Sequence, residues 1–158
     1  MTRAAYATAL CRLMGWELAT PEKGSFTDNQ DTAKWYYSAI ETAYAHGALT
    51  GESRQCRPND AITREEMAKM TVRALGLAVL SGAAADDCPF SDVSVAQGYV
   101  ALAYHMGIIK GVSAYNFEPK KEATREQAAA VLLRTYDRLH AAIKVTEAAD
   151  GSAPSGCV

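Results

Sequence analysis

Apolar residues recur with a helical period in five stretches of this chain. In Ile62–Leu77 the positions Met67, Met70, Ala74 and Leu75 fall on one face, and in Ala123–Leu139 the positions Ala128, Val131, Leu132 and Tyr136 do the same. Met1–Trp16 has the spacing of a third such helix. Two shorter stripes lie between them, Ile40, Ala43, Tyr44 and Gly47, then Val100, Ala103, Tyr104 and Gly107. Stripes of this width are core faces, so three equivalent long helices predict a central bundle. The expected fold class is all-α.

The stripes belong to a repeat. Thr-Arg pairs stand at positions 2, 63 and 124, so they recur at a constant spacing. The string ITREEMAKMTVRALGL returns as ATREQAAAVLLRTYDRL, and FTDN at Phe26–Asn29 returns as FSDV at Phe90–Val93. AIETAYAHGALTG matches YVALAYHMGIIKG, and RPNDAITRE matches EPKKEATRE, aligning Pro58 with Pro119. Several signals recurring in one order define a repeat architecture. Each full unit reads Phe-x-Asp, helix, Gly-x-x-x-Gly, a short extended stretch, Pro, then Thr-Arg and a second helix. Thr63 with Glu66, and Thr124 with Gln127, have capping-box spacing; Thr2 has Ala5 at that place instead. Gly47 and Gly107 sit where a helix end needs a left-handed residue, and Gly51 and Gly111 where a second turn follows.

Composition narrows the function. Thirty alanines against three Phe and two Trp favour helices packed through small residues. The net charge of −2 argues against a nucleic-acid partner. No apolar run approaches a membrane span of about 20 residues, and the first residues lack the form of a signal peptide, so any export signal is expected outside this chain. Cys11, Cys56, Cys88 and Cys157 have no Cys-x-x-Cys spacing; free thiols are expected, and no metal or cofactor site is.

In these motifs the chain resembles an S-layer homology domain. The second unit supplies Phe26, Asp28, Trp35, Gly47, Gly51, Pro58 and Ile62–Glu66. The third supplies Phe90, Asp92, Val93, Gly107–Gly111, Phe117, Pro119 and Thr124–Glu126. The resemblance implies a three-repeat, pseudo-threefold helical domain with a central bundle and prongs. Here its first repeat is incomplete: residues 1–25 carry only the C-terminal half, 26–85 the second repeat and 86–145 the third, with a polar tail or linker at 146–158. It further implies non-covalent anchoring of a larger, secreted surface protein to the bacterial cell wall. The ligand would be an anionic secondary wall polysaccharide, often pyruvylated, held in grooves between repeats with the motif arginine as a main contact. Since the first repeat lacks its front half, at most two complete grooves are expected, around Arg3 and Arg64, while that of Arg125 lacks a wall.

The residues make their own case for an anion. Arg3, Arg64 and Arg125 each begin a helix, where the macrodipole opposes a cation by about 0.3–1 kcal/mol. An anion held by free helix-start amides and a guanidinium fork would account for that placement. Internal pairing of each arginine with Asp28 or Asp92 would account for it equally. Thr2, Thr63 and Thr124 would cap and position the arginines. Asp28 and Asp92 either orient them or cap a turn, Trp35 either stacks on a sugar or anchors packing, and Gly51 and Gly111 either admit a sugar or simply turn the chain. No nucleotide, hydrolase or metalloprotease motif is present, and no catalytic set can be assembled. His46, His105 and His140 occupy non-equivalent positions and are expected at the surface. The rival reading is a structural or protein-interaction module that kept the scaffold without glycan binding; its arginines would then be buried in internal ion pairs.

Overall fold

The computed structural model describes residues 1–51 and 53–149. Its helices are α1 (Arg3–Leu13), α2 (Tyr37–Ala45), α3 (Arg64–Ala74), α4 (Gln97–His105) and α5 (Arg125–Ala149). Two short 3₁₀ turns, Ala78–Leu80 and Ala85–Asp87, fill the connector between α3 and α4. Among the described residues there is no strand, only two isolated antiparallel bridges, Thr2 with Ala61 and Thr63 with Glu122. The fold is all-α.

The helix starts follow the local chemistry. Thr63 accepts the Glu66 amide while the Glu66 carboxylate takes the Thr63 amide, a complete capping box. Thr124 and Gln127 make the same reciprocal pair. Thr2 caps α1 alone, accepting from the amide of Ala5 at 3.2 Å. At the other ends of the short helices, Gly47 and Gly107 adopt φ of +70° and +71°. A side chain there would meet left-handed strain, which explains why the repeat keeps glycine.

Helices α1, α3 and α5 are the second helices of the three repeats. Helix α1 packs on both α3 and α5, while α2 packs on α1 and α4 on α3. Each short helix therefore lies against the long helix of the preceding repeat. A repeat in sequence is consequently not a unit in space, and every boundary between repeats is sealed by core residues. Tyr6, Leu10, Ile40, Ile62, Met67, Val72 and Val100 are all fully buried in one continuous core. On α5 the stripe weakens outward: Ala128 and Val131 are buried, but Tyr136 is exposed.

A ring of backbone hydrogen bonds marks the pseudo-threefold axis. The Ile62 amide donates to the Met1 carbonyl at 2.9 Å, and the Ala123 amide to the Ile62 carbonyl at 2.8 Å. The Met1 amino group closes the circle on the Ala123 carbonyl at 3.3 Å. These three residues precede the three Thr-Arg pairs, so the ring aligns the starts of α1, α3 and α5.

Helix α5 runs through Ala149 and so takes in the first four residues of the expected tail; residues 150–158 lie outside the described part. Cys11, Cys56 and Cys88 are free thiols. Among the described residues no helix is long and apolar enough to cross a membrane, and no cluster of His, Cys, Asp or Glu could hold a metal ion.

Candidate functional site between repeats

Each prong is folded by the aspartate of its own Phe-x-Asp element. The Asp28 carboxylate accepts from the amides of Cys56 at 2.9 Å and Arg57 at 2.8 Å, and from the Cys56 thiol at 3.3 Å. Asp92 does the same for the amides of Phe117 at 2.8 Å and Glu118 at 2.7 Å. Arg57 and Glu118 are left-handed, with φ of +52° and +57°. That conformation costs a side-chain-bearing residue about 1–2 kcal/mol, and the carboxylate clamp offsets it. Burial opposes ionisation of Asp28, but the two amides and the thiol hold its carboxyl below the usual range. The cost falls on Cys56, whose thiol is pushed up to about 12 by burial and by Asp28. Both aspartates are thus turn-builders.

The prong then covers the helix start of the preceding repeat. The carbonyls of Asp60 and Pro58 accept the amides of Arg3 at 2.9 Å and Ala4 at 3.0 Å. In the next repeat the carbonyls of Lys121 and Pro119 accept those of Arg64 at 2.9 Å and Glu65 at 3.0 Å. With the third amide spent on the capping threonine, the first three helix amides at each start already have acceptors. The open helix terminus expected from sequence is therefore not there, because the neighbouring prong supplies its acceptors.

The arginine side chains lie beneath the prongs. Arg3 is 5% exposed; its Nε donates to the Cys56 carbonyl at 2.8 Å and its Nη1 pairs with Glu66 at 2.7 Å. The internal acid is Glu66, not Asp28. Glu66 also receives the Arg57 guanidinium. Burial opposes its ionisation, yet the Thr63 amide and the two arginines keep its carboxyl below the usual range. Arg64 is 4% exposed; its Nε donates to the Phe117 carbonyl and its Nη2 to the Lys110 carbonyl, both at 2.7 Å. The guanidinium stacks 4.5 Å above the Phe117 ring, a cation–π arrangement. Burial disfavours its charged form, with Glu118 and Asp92 acting the other way.

Beside each arginine is a cleft. That of Arg64 has a volume of about 410 Å³, with Lys110, Gly111, Gln127, Ala130 and Arg134 on its walls. That of Arg3 is about 80 Å³ and is bounded by Thr50, Glu66, Lys69, Met70 and Arg73. Arg125 and Thr124 are exposed, and Arg125 borders an open hollow with Met1, Thr2, Asn59 and Ala61 instead of a prong. Among the described residues the walled clefts are those beside Arg3 and Arg64, the two positions where complete grooves were expected.

The other candidates fall outside these clefts or support them. The Thr2, Thr63 and Thr124 hydroxyls are occupied as caps. Trp35 is 65% exposed, edge-on to Tyr36 at 5.3 Å between ring centroids, and lines neither cleft. Gly51 and Gly111 are close-approach positions, since an added Cβ would overlap the rings of Phe26 and Phe90 respectively. His46, His105 and His140 are exposed, His46 stacking on Trp16. Sequence reasoning missed Glu66 as an inter-repeat partner, and Lys110 and Arg134 as wall cations. Comparing equivalent positions of the repeats would have raised all three.

The family profile of the S-layer homology domain matches residues 25–68 and 89–129, more than half of the chain, including both prongs and Arg64. The chain belongs to the S-layer homology family. Domains of this family anchor surface proteins to the cell wall. Among its relatives is the amylopullulanase of Thermoanaerobacterium thermosulfurigenes, 36% identical over 84% of this chain and 7% of that protein. The exoglucanase XynX of Acetivibrio thermocellus is 37% identical over 84% of this chain and 12% of that protein. The surface-layer 125 kDa protein of Lysinibacillus sphaericus is 33% identical over 92% of this chain and 12% of that protein. The chain thus spans a small part of the length of each of these relatives.

Proposed function

We propose that this S-layer homology domain fixes a larger, exported surface protein non-covalently to a bacterial cell wall. Its ligand is an anionic secondary wall polysaccharide, a pyruvylated one by its chemistry, taken into the grooves between repeats. The observation that supports this most is the Arg64 cleft: a walled, solvent-open space with three cations on its sides and no acid among its lining residues. A carboxylate on a sugar is the complement of that lining, and a guanidinium offers it a planar fork. Many weak sites along one polymer would add avidity. Catalysis by the parent protein, if any, belongs to other segments.

The structural-module reading draws on Arg3, which is buried and neutralised by Glu66. The two readings separate in a sedimentation assay with purified wall sacculi, before and after the acidic polymer is stripped. Co-sedimentation with intact sacculi that disappears on stripping supports anchoring. Equal behaviour with both preparations leaves only the scaffold reading.

A further inference from the structure

The two walled grooves occupy equivalent places in the repeat but differ in residue type at three of five equivalent lining positions. Arg3 corresponds to Arg64, Thr50 to Lys110, Glu66 to Gln127, Lys69 to Ala130 and Arg73 to Arg134. Four of these five pairs bear on whether an anion can enter.

In the first groove Glu66 neutralises Arg3 directly, its carboxylate 2.7 Å from Nη1. An incoming anion would have to displace that carboxylate or sit beside it, and like charges at such range repel. Arg73 then straps the mouth: its Nη1 donates to the Thr50 hydroxyl, and its guanidinium lies over the Tyr99 ring. The strap and the long Lys69 side chain leave a cleft of only about 80 Å³.

In the second groove none of this holds. Gln127 keeps the capping role, since its Oε1 accepts the Thr124 amide at 3.3 Å, but it brings no charge to Arg64. The acids nearest in field are engaged elsewhere: Asp92 with the Phe117 and Glu118 amides, and Glu118 with Lys121. Arg64 Nη1 makes no hydrogen bond among the described residues, although the side chain is almost wholly buried and lines the cleft. Lys110, unlike Thr50, cannot accept from an arginine, so Arg134 forms no strap and turns to the Ile108 carbonyl at 3.3 Å. Alanine at 130 leaves room where Lys69 fills its groove. The result is about 410 Å³ of space walled by three cations.

We infer that the Arg64 groove alone takes the acidic group of the saccharide, and that the Glu66/Gln127 difference decides which groove is open to it. The Arg3 groove is a closed structural joint. This inference rests on the wall-polymer reading above, and its ligand is an oxyanion carried on a sugar, a carboxylate in preference to a bulkier phosphodiester.

Glutamate and glutamine both serve in the capping box, so Gln127→Glu and Glu66→Gln keep the helix caps; Glu66→Gln also removes the partner of the buried Arg3, so its fold is checked before its retention is read. Retention by intact sacculi is measured by sedimentation for the wild type, Gln127→Glu, Ala130→Lys and Glu66→Gln, each first checked for an unchanged circular dichroism spectrum. Gln127→Glu should weaken retention at least tenfold and Ala130→Lys severalfold by filling the space, whereas Glu66→Gln should hold or improve it. Wild-type retention with no loss in Gln127→Glu overturns the assignment, as does a loss in Glu66→Gln larger than in Gln127→Glu. Failure of the wild type itself to distinguish intact from stripped sacculi is the separate failure of the anchoring proposal.

Discussion

The Tyr6 and Thr71 hydroxyls lie 2.6 Å apart and tie α1 to α3 inside a core from which both residues are fully excluded from solvent. Thr71 already donates to the Met67 carbonyl at 2.8 Å, so Tyr6 is the donor of this bond. Burial pushes the Tyr6 phenol well above its ordinary value of 10.0. Tyr6→Phe should therefore cost about 1 kcal/mol, since Thr71 keeps one partner and loses only an accepted bond. The pH dependence has a definite sign. A folded-state value raised above the unfolded one gives stability that is complete below pH 10 and is lost as pH rises beyond it. Chemical denaturation between pH 9 and 11 should show that loss, with a slope smaller in Tyr6→Phe by up to about 1.4 kcal/mol per pH unit.

Asp28 contributes at the opposite end of the scale. Its carboxylate gathers two amides and a thiol, and its folded-state value lies below the unfolded one. The stability it supplies is present above the unfolded value of 3.8 and is lost as pH falls through the lower folded one. Asp28→Asn turns one acceptor into a donor facing an amide and should cost about 2–3 kcal/mol at pH 7. It should also flatten the acid limb of stability against pH. An acid limb identical to the wild type would mean that the prong turn does not depend on this charge.

What was legible in the sequence was whatever rests on neighbours within a few residues. The capping boxes of Thr63 and Thr124, the left-handed Gly47 and Gly107 and the stripe through Met67 and Met70 are local, and the repeat displays them more than once. What could not be read comes from pairings across repeats. Pro58 and Asp60 reach the amides of Ala4 and Arg3 more than fifty residues away, so a helix start that looks open is closed. Glu41 sits among the polar positions of α2, yet it is buried and accepts from the Ser25 amide and the Asn29 side chain. Helical periodicity carries no sign of that. Glu66 satisfied its local cap, so its own neighbourhood in sequence showed no sign of its second role, neutralising Arg3; only the change from Glu66 to Gln127 between repeats marked it.

The glycines that press on the Phe-x-Asp rings separate folding from groove shape. An alanine Cβ at 111 would overlap the Phe90 ring and come within 2.6 Å of the Ser113 carbonyl oxygen, and at 51 it would overlap the Phe26 ring. Each substitution should cost about 1–3 kcal/mol, because ring and backbone must both yield. Gly111 lines the Arg64 cleft while Gly51 does not line that of Arg3. Gly111→Ala should therefore lower retention by wall sacculi well beyond its stability loss, and Gly51→Ala should not. Gly82 has no atom within 4 Å of an added Cβ, so Gly82→Ala is the control, neutral or stabilising by about 0.4–1 kcal/mol.

Thiol reactivity tests the burial of the Arg3 joint without any ligand. Cys56 is fully buried, its carbonyl holds Arg3 and its thiol donates to Asp28, which together with burial pushes it up to about 12. Cys11, buried in α1, is pushed up to about 11 by burial. Both are almost entirely protonated at pH 8, and the thiolate is the reactive form. Cys88 is only half-buried. In a Cys157→Ser background, a disulfide-exchange reagent at pH 8 should label one thiol quickly in the native protein and all three after unfolding. Rapid native labelling of Cys56 would show that the prong lifts readily from α1, and the Arg3 groove would then be open to solvent. Asp28→Asn offers a graded version of the same measurement: loosening the prong turn should speed labelling of Cys56 and leave Cys11, which lies under α2 and donates to the Ala39 carbonyl, as slow as before.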